Sequence, residues 1–591
     1  MKQHHHMVAG QPVQINVVES PDDLGMFTEF VQANRRGLAV DTETTGLDIY
    51  NPDFRLRVVQ FGNKHEAWVI PVEQFGWQAV TDALLNVQKL VIHNASYDLQ
   101  VIDKCLNVEM ERLWPKVTDT RILAHLVDPR GKEEGGIGHS LEDLTRHYID
   151  TDVADSVKTL MTDLARKHST TKAKIWKLIE FSDPDYQLYA GMDTILAARL
   201  ANLHRRLPAE SRKLIRYEHK LAEICSKMEQ VGFLLDVDYT EKLSERLLHE
   251  ELDWVAIAES MGCDNVNSTD QVADVLESRG VKITGRTPTG KRKVDKLLLA
   301  ELVAKGDPFA EAVVGAKKAR KWRTTWVDGF LAQSDSSGRC HPSINPLRAR
   351  TGRMSITGIP AQTLPSGDWM IRRCFVSDPG QVMVSVDYQT QELRVLAALS
   401  GDRTMIQAFR TNADLHQITA DASGVDRKVG KTVNFAYVYG SGPRNIAQQC
   451  GITVEKAREV IAGFEAAYPK VAQYSKRLQR EALRDGYITT PTGRRLPVDQ
   501  QRPYAALNYM VQSTSRDITA AGLLRLHEAG FTRYLRLPIH DEVLASVPAS
   551  QAERGAARIA ELMATTFKGV RIGTDSEVGG RSWGSLYGSD Y

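Results

Sequence analysis

The sequence predicts a multidomain protein of the α/β class, and three observations lead to this prediction. At 591 residues the chain is too long for one hydrophobic core, so we expect three or four domains. Short apolar runs that end in acids alternate with helical patterns near the N-terminus. A helix-rich, basic stretch follows, and strand patterns return near Val384 and Leu535.

Composition and charge limit the function classes. The chain is 42% hydrophobic and 25% charged, which is typical of folded water-soluble proteins. With a net charge of +1 it has no overall basic field, so binding to nucleic acid would depend on local segments such as Lys317–Arg323 and Arg348–Arg353. Runs of this kind are more often solvated helix faces.

The cysteines and the N-terminus indicate the compartment. Six scattered cysteines without a Cys-x-x-Cys pair argue against a zinc site and against disulfides, and they favour a reducing cytosol. No stretch is long enough to span a bilayer, and the start lacks the apolar core of a signal peptide. We therefore expect a cytoplasmic protein with no membrane partner, in which residues 1–15, including His4 to His6, form a flexible tail.

Paired acids follow the first clear strand. Leu38-Ala-Val40 leads into Asp41-Thr-Glu43, and alternation along a strand places both acids on one face. Alone, this pattern is weak, because a surface strand with two solvated acids is commoner. Further along the chain, Asp98 is expected early on a helix, and Tyr189 and Asp193 lie one helical turn apart.

These four acids and the tyrosine, in this order, resemble the DEDD-type 3′→5′ exonucleases of the subclass with a tyrosine. The resemblance covers about residues 16–200 and implies a ribonuclease H-like domain at 16–202. It implies that Asp41, Glu43, Asp98 and Asp193 hold two Mg²⁺ or Mn²⁺ ions, and that Tyr189 orients the attacking water. Since no acid is missing, we expect an active domain and not a structural relic.

Two more acids stand at strand ends far apart in the sequence. The strand around Val384 ends in Asp387, and the apolar run from Leu535 to Ala545 is interrupted by His540-Asp541-Glu542, which predicts a hairpin with acids at its turn. A two-metal phosphoryl-transfer site needs acids from converging segments, because its ions lie roughly 3.5–4 Å apart.

A helical stripe between these acids carries both cations and aromatics. Arg427, Lys431, Phe435 and Tyr439 recur every four residues. A nucleoside triphosphate fits this order, with its phosphates at the cations and the positive helix end, and its sugar and base at the aromatics. An aromatic stripe is more often core, but paired cations on the same stripe are hard to bury.

Together these segments resemble family A (DNA polymerase I-type) DNA polymerases, whose fingers motif Arg-x3-Lys-x2-Asn-Phe-x3-Tyr-Gly is met in full. The resemblance implies a right-hand polymerase with a helical thumb at 203–338, a palm at 339–403 and 501–591, and fingers at 404–500. It implies that Asp387, the backbone of Tyr388 and Asp541 bind two Mg²⁺ ions, with Mn²⁺ as the alternative, and that Glu542 is a secondary acid.

The same resemblance implies the substrate contacts. For the dNTP they are His416, Arg427, Lys431, Phe435, Tyr439 and the steric-gate residue Glu392; for primer–template DNA they are Arg353, Gln362, Asn434, Arg494, Asn508, Gln512 and His540. Arg494, Asn508 and Gln512 either contact DNA or order the site, and the last two are equally compatible with a polar surface. The usual Asp-Tyr-Ser-Gln-Ile-Glu reads Asp-Tyr-Gln-Thr-Gln-Glu here, so Gln391 leaves the strictness of sugar selection open.

Loop lengths favour a bacteriophage replicative polymerase. Only 11 residues separate His416 from Arg427, which resembles the short loop of phage enzymes. The 120 residues from Gly232 to Gly352 leave no room for a large thumb insertion that binds a processivity factor. We expect a monomer with no 5′-nuclease domain before Asp41; contacts with a replicative helicase or a single-strand binding protein stay open.

Four other functions are disfavoured. The segment from Gly424 to Thr432 resembles a P-loop but has five residues between its glycines where the motif has four, so an ATPase is rejected. Intact Asp387, Lys431 and Asp541 argue against a nuclease whose polymerase half only grips DNA. A replisome scaffold would not need two sets of acids, and a complete exonuclease opposes lesion bypass.

Overall fold

The computed structural model describes residues 1–365 and 367–591, and its first part is built on a seven-stranded mixed sheet. The strands are β1 (Lys2–Val8), β2 (Gln11–Val17), β3 (Leu38–Thr44), β4 (Leu56–Gly62), β5 (Glu66–Ile70), β6 (Leu90–Ile92) and β7 (Val117–Asp119). They lie in the order β1-β2-β5-β4-β3-β6-β7. The pairs β2–β5, β3–β6 and β6–β7 are parallel, and the other neighbours are antiparallel.

The N-terminal residues belong to this sheet, so the prediction of a flexible tail is wrong. Strand β1 pairs with β2 in register from Lys2 opposite Val17 to Val8 opposite Gln11. His4 also contacts the domain, with Nε2 2.9 Å from Oε1 of Gln187. The sequence around the three histidines has no alternation of apolar residues, so it does not predict a strand. The strand forms because the backbone of β1 is hydrogen-bonded to β2.

Helices cover both faces of the sheet. They are α1 (Leu24–Ala33), α2 (Trp77–Asn86), α3 (Ala95–Leu106), α4 (Met110–Leu113), α5 (Thr120–Val127), α6 (Leu141–Tyr148), α7 (Thr151–Lys167) and α8 (Pro184–Leu200). Val59 packs in one core with α1 to α5, while its neighbour Val58 packs in a second core with α7 and α8. Successive side chains of β4 therefore point to opposite faces of the sheet, and both faces are buried.

The middle of the chain is helical. Its helices are α9 (Lys213–Val231), α10 (Val237–Ser260), α11 (Thr269–Ser278), α12 (Lys296–Ala304), α13 (Pro308–Lys321) and α14 (Asp328–Gln333), with the short strand β8 (Phe233–Leu235) after α9. A π-helical turn, Trp322–Val327, joins α13 to α14. Asp236 and Asp307 cap α10 and α13 by accepting backbone N–H groups of their first turns.

The last part combines small sheets with a helical lobe. Its strands are β9 (Arg339–Cys340), β10 (Ser343–Asn345), β11 (Ser355–Thr357), β12 (Phe375–Val376), β13 (Gln381–Tyr388), β14 (Tyr487–Thr489), β15 (Arg495–Pro497), β16 (Leu535–Ile539), β17 (Glu542–Pro548), β18 (Thr565–Phe567), β19 (Val570–Ile572) and β20 (Thr574–Val578). Its helices are α15 (Gln391–Ser400), α16 (Arg403–Thr411), α17 (Leu415–Ser423), α18 (Arg427–Val438), α19 (Pro443–Cys450), α20 (Val454–Ala467), α21 (Pro469–Asp485), α22 (Ala505–Glu528) and α23 (Ala552–Met563).

A four-stranded antiparallel sheet, β16-β17-β13-β20, positions the late acids. The hairpin predicted around residues 540–542 is β16–β17. The segment before Gly424 is the helix α17 and not a strand, in agreement with the rejection of a P-loop. Among the described residues, no helix combines the length and the apolar character needed to cross a membrane.

Candidate active sites

The first acid cluster lies where β3 meets α8. Ligand oxygens of Asp41, Glu43 and Asp193 all lie within 4.8 Å of one another. Asp41 and Glu43 share one face of β3, as their spacing predicts, and α8 brings Asp193 against that face. Residues 150 positions apart in the sequence thus form one compact carboxylate group.

The acids in and beside this group are largely buried and resist losing their protons together. Burial and the charges of the neighbouring acids raise the pKa of Asp41 and of Glu43 well above their usual values. Burial also raises the pKa of Asp98 and of Asp193 to about 7 each. Arg57 near Glu43 offsets only part of this charge. Crowded carboxylate oxygens of this kind suit hard divalent cations.

Asp98 and Tyr189 lie beside this group on two helices, near enough for the charge of Asp98 to raise the pKa of Asp41. Among the described residues, Asp98 is not one of the acids whose ligand oxygens lie within 4.8 Å of one another. Asp98, in the first turn of α3, is 4% exposed and accepts a 2.6 Å hydrogen bond from the hydroxyl of Thr42, the residue between the two acids of β3. Tyr189 lies one turn before Asp193 on α8. The charge of Asp193 and burial raise the pKa of Tyr189 well above its usual value, so its hydroxyl stays protonated.

The second acid cluster lies on the four-stranded sheet. Asp387, near the end of β13, pairs directly with Glu542 on β17. Asp541 stands at the turn between β16 and β17, and its carbonyl accepts the N–H of Tyr388 at 3.1 Å. His540 has a φ of 58° at this turn, a left-handed conformation that costs a non-glycine residue about 1–3 kcal/mol. The hairpin thus brings the distant acids together, as predicted.

The environments of these acids differ. Burial, then the carboxylates of Asp541 and Asp575, raise the pKa of Asp387. Burial raises the pKa of Glu542, whose carboxylate accepts a 2.6 Å hydrogen bond from Ser385. The buried side chain of Tyr388 donates to the carbonyl of Met563, so only its backbone is available at the site.

Two acids on β20 were missed from the sequence. Asp575 lies directly opposite Asp387 in the antiparallel pair β13–β20, and Glu577 follows on the same strand. The Asp575 carboxylate accepts a 2.6 Å hydrogen bond from the side chain of Gln389, which stands where the family pattern has serine. The alternation of Asp and Glu from Thr574 to Val578 was the available signal, but nothing in it showed that β20 pairs with β13.

The helix α18 presents the predicted stripe. Arg427 and Lys431 are exposed at its N-terminal half, Phe435 is partly exposed, and Tyr439 forms the C-cap. Arg427 pairs with Asp414 at 2.5 Å. The Asp426 side chain caps the helix by accepting the N–H of Val429.

The DNA contact predicted for Asn434 is wrong, because its side chain is buried and hydrogen-bonded to neighbouring residues of the protein. Its side chain is completely buried, and its Oδ1 accepts a 2.6 Å hydrogen bond from Thr419. Its Nδ2 donates to Nδ1 of His416 at 2.8 Å. Because Nδ1 accepts this bond, the proton of the neutral imidazole lies on Nε2, and burial lowers the pKa of His416 in support of the neutral form.

A cavity of about 330 Å³ separates α18 from the second acid cluster. Its walls include Arg353, Glu392, Phe435, Tyr439, Gln512, His540 and Asp541. Glu392 pairs with Arg353 and accepts a 2.8 Å hydrogen bond from the hydroxyl of Tyr439. Gln391 is buried, and its amide donates to Thr519 at 3.0 Å, so its polar group is satisfied between α15 and α22.

The remaining predicted DNA contacts fall into two groups. Gln362 and Asn508 are partly buried; the Gln362 amide donates to the carbonyl of Met354 at 3.1 Å, while Oδ1 of Asn508 is buried without a partner among the described residues. Arg494 is only 2% exposed and pairs with Glu218 and Asp517. A DNA contact for Arg494 is therefore wrong, and the alternative that it orders the site is the one compatible with its burial.

Comparisons with known proteins give consistent matches. Residues 15–208 match the family described as 3'-5' exonuclease, and residues 237–585 match the family described as DNA polymerase family A. The chain is 57% identical to the DNA polymerase of Mycobacterium phage L5 over 591 residues, with 99% of both chains covered. It is 33% identical to the thermostable DNA polymerase I of Thermus thermophilus over 436 residues, 67% of this chain and 51% of that protein.

The fold is similar to that of a solved structure described as the POL domain of Pol1 from M. smegmatis in complex with DNA primer-template and dNTP. The TM-score is 0.76 at 23% sequence identity, and the match covers 96% of this chain and 99% of that chain.

Proposed function

Because the chain belongs to family A of the DNA polymerases and carries a 3′–5′ exonuclease domain, we propose that it extends a primer at the cavity beside Asp387 and Asp541 and removes mispaired 3′ ends at the cluster around Asp41. The predicted succession of an exonuclease domain and a polymerase domain is confirmed by the family matches. Its similarity to the Mycobacterium phage L5 polymerase supports a role in replicating a phage genome. The observation that carries the proposal is the presence of two separate sets of acids. One is the compact group Asp41, Glu43 and Asp193; the other includes Asp387 and Asp541, and Asp541 lines a cavity together with residues of α18.

Both clusters fit divalent cations, and we propose two Mg²⁺ ions at each, with Mn²⁺ as the alternative. Asp41, Glu43, Asp98 and Asp193 would hold the ions in the exonuclease site; Asp387, Asp541 and the backbone of Tyr388 would hold them in the polymerase site. The bound cations would stabilise charge at the reacting phosphate. Tyr189, protonated and beside Asp193, orients the attacking water in the exonuclease reaction.

The helix α18 would bind the incoming dNTP. Arg427 and Lys431 attract the phosphates, and His416 can donate from Nε2 because Asn434 occupies Nδ1. Phe435 and Tyr439 contact the sugar and base from the cavity wall. Primer–template DNA would reach the cavity beside its other wall residues, Arg353, Gln512 and His540.

Primer extension tests this function. A labelled primer–template is incubated with the wild-type chain and Mg²⁺, with and without dNTPs. We expect longer products when dNTPs are present and shortened products when they are absent. Degradation under both conditions would contradict the polymerase assignment, and extension without any degradation would contradict the exonuclease assignment.

Replacement of Asp41 by asparagine separates the two activities. The amide removes a negative charge from the compact acid group, so shortening of a single-stranded primer should fall by at least about a thousandfold, which corresponds to several kcal/mol. Extension rates are measured in parallel. Equal losses of both activities would contradict two independent sites.

Glu392 is expected to select against ribonucleotides. Glu392→Ala opens the cavity next to the sugar and should raise the frequency of ribonucleotide insertion about 10–200-fold, the usual range for a contact with one small group. Glu392→Gln keeps the volume and removes the charge, so it should retain most of the discrimination. The measurement is the ratio of kcat/KM for dNTP and rNTP; equal effects of both substitutions would contradict a steric origin.

A further inference from the structure

We propose that the exonuclease domain supplies positioning residues to the polymerase site: the hydrogen bond from His125 and the packing of Leu347 beside α5 fix the turn Ala349–Gly352, which sets the position of Arg353. The inference rests on the roles proposed above for Arg353 and Glu392. If it holds, contacts from the exonuclease domain are required for the correct geometry of the polymerase site.

The turn couples Ala349 to Arg353 through the backbone. The carbonyl of Ala349 accepts the N–H of Gly352 at 2.8 Å, and the carbonyl of Arg353 accepts the N–H of Ala349 at 3.2 Å. Gly352 has a φ of 79°, which side-chain-bearing residues rarely adopt. A shift of Ala349 therefore displaces Arg353, because the two residues are joined directly.

The exonuclease domain holds the start of this turn. His125, on α5, is 3% exposed, and its Nε2 donates to the carbonyl of Ala349 across 3.1 Å. A carbonyl only accepts, so the imidazole proton lies on Nε2. Leu347, two residues before the turn, is 6% exposed and packs in the same hydrophobic core as Ile122 of α5. The exonuclease domain thus fixes both a side chain and a backbone oxygen of the polymerase loop.

The polymerase part holds the other end. Arg350 is 7% exposed and lies between Asp499 at 3.3 Å and the hydroxyl of Tyr509 at 3.0 Å. It also faces Glu134 of the exonuclease domain at 3.6 Å. Arg353 then pairs with Glu392 in the cavity wall. The turn is thus held by the exonuclease domain at Ala349, by both domains at Arg350 and by the polymerase part at Arg353, so neither domain alone determines where Arg353 lies.

Steady-state kinetics of His125 variants test the inference. They are made in the Asp41→Asn background, so that primer degradation does not obscure extension. His125→Ala should lower kcat/KM for correct dNTP insertion about tenfold or more, since small misplacements of positioning groups cost up to about a hundredfold. It should also change the dNTP/rNTP ratio, because Arg353 is the partner of Glu392. His125→Gln, whose amide can donate in place of Nε2, should restore both values.

His219→Ala is the matched control. His219 is also buried between the two parts of the chain, but its ring nitrogens bond the N–H of Asp119 and the carbonyl of Ile215, not the turn. It should lower the melting temperature without changing the dNTP/rNTP ratio. Wild-type kinetics in a folded His125→Ala protein, or an equal change of the ratio in His219→Ala, would overturn the inference. Absence of extension by the wild-type chain would instead overturn the proposed function.

Discussion

Replacement of Asp387 by asparagine is expected to abolish primer extension, with a loss of at least about three orders of magnitude in kcat. The side chain lies near the end of β13, between Glu542 on β17 and Asp575 on β20. The carboxylate of Asp541 is also close enough to raise the pKa of Asp387. The Asp387 carboxylate is one of the two that would hold the cations in the polymerase site. Charge stabilisation by a metal at the transferred phosphate is worth several kcal/mol, and each 1.4 kcal/mol or so corresponds to tenfold in rate.

Asp575→Asn is the matched comparison for this variant. Asp575 lies directly opposite Asp387 on β20, and its carboxylate is engaged by Gln389. The same isosteric change removes a charge one strand away, and an outer partner of this kind typically contributes about 10–100-fold. Single-turnover extension and degradation of a single strand are measured for both variants. If both variants lose extension equally, the total charge of the sheet, and not Asp387 itself, supports the reaction. If Asp387→Asn also loses degradation of the single strand, the two sites are not separate.

The acids could be predicted from the sequence because their chemistry follows from local patterns. Alternation on a strand places Asp41 and Glu43 on one face, and helical spacing does the same for Tyr189 and Asp193. Hairpin signals around Asp541 likewise depend on neighbouring residues alone. In each case the residue type and the local period determine the direction of the side chain, so the structure brings together what the spacing indicates.

The errors concern residues whose role depends on distant partners. For Arg494 the sequence leaves two roles open, a DNA contact or ordering of the site, and the first is excluded because Arg494 is buried against Glu218 and Asp517. Asn434 has the same spacing as a substrate-facing residue, yet Thr419 and His416 satisfy its amide inside the lobe. A motif gives residue types and spacing, and it cannot show which polar group will be paired after folding.

The buried network around Glu218 leads to the largest expected effect on stability. Glu218, on α9, is fully buried, and its carboxylate accepts hydrogen bonds from Arg516 at 2.6 and 2.7 Å and also from Arg494. Asp517 accepts from both arginines at 3.0 Å. Glu218→Gln leaves two buried guanidinium groups with one compensating charge. Breaking a buried pair in this way costs about 3–5 kcal/mol, so the urea midpoint should fall markedly.

Two further measurements distinguish this charge effect from a loss of packing: the pH dependence of stability and the urea midpoint of a variant at an exposed ion pair. Burial opposes ionisation of Glu218, but Arg516 and Arg494 outweigh it, so its folded pKa is lower than usual. The stabilisation is therefore complete above the usual glutamate pKa and is lost as the pH falls through the lower folded value, so wild type and Glu218→Gln should converge in strong acid. Glu210→Gln removes an exposed partner of Arg495, and solvent screening of that pair should leave the urea midpoint nearly unchanged. A wild-type midpoint for Glu218→Gln at neutral pH would show that the network does not stabilise the junction of α9, the β14–β15 hairpin and α22.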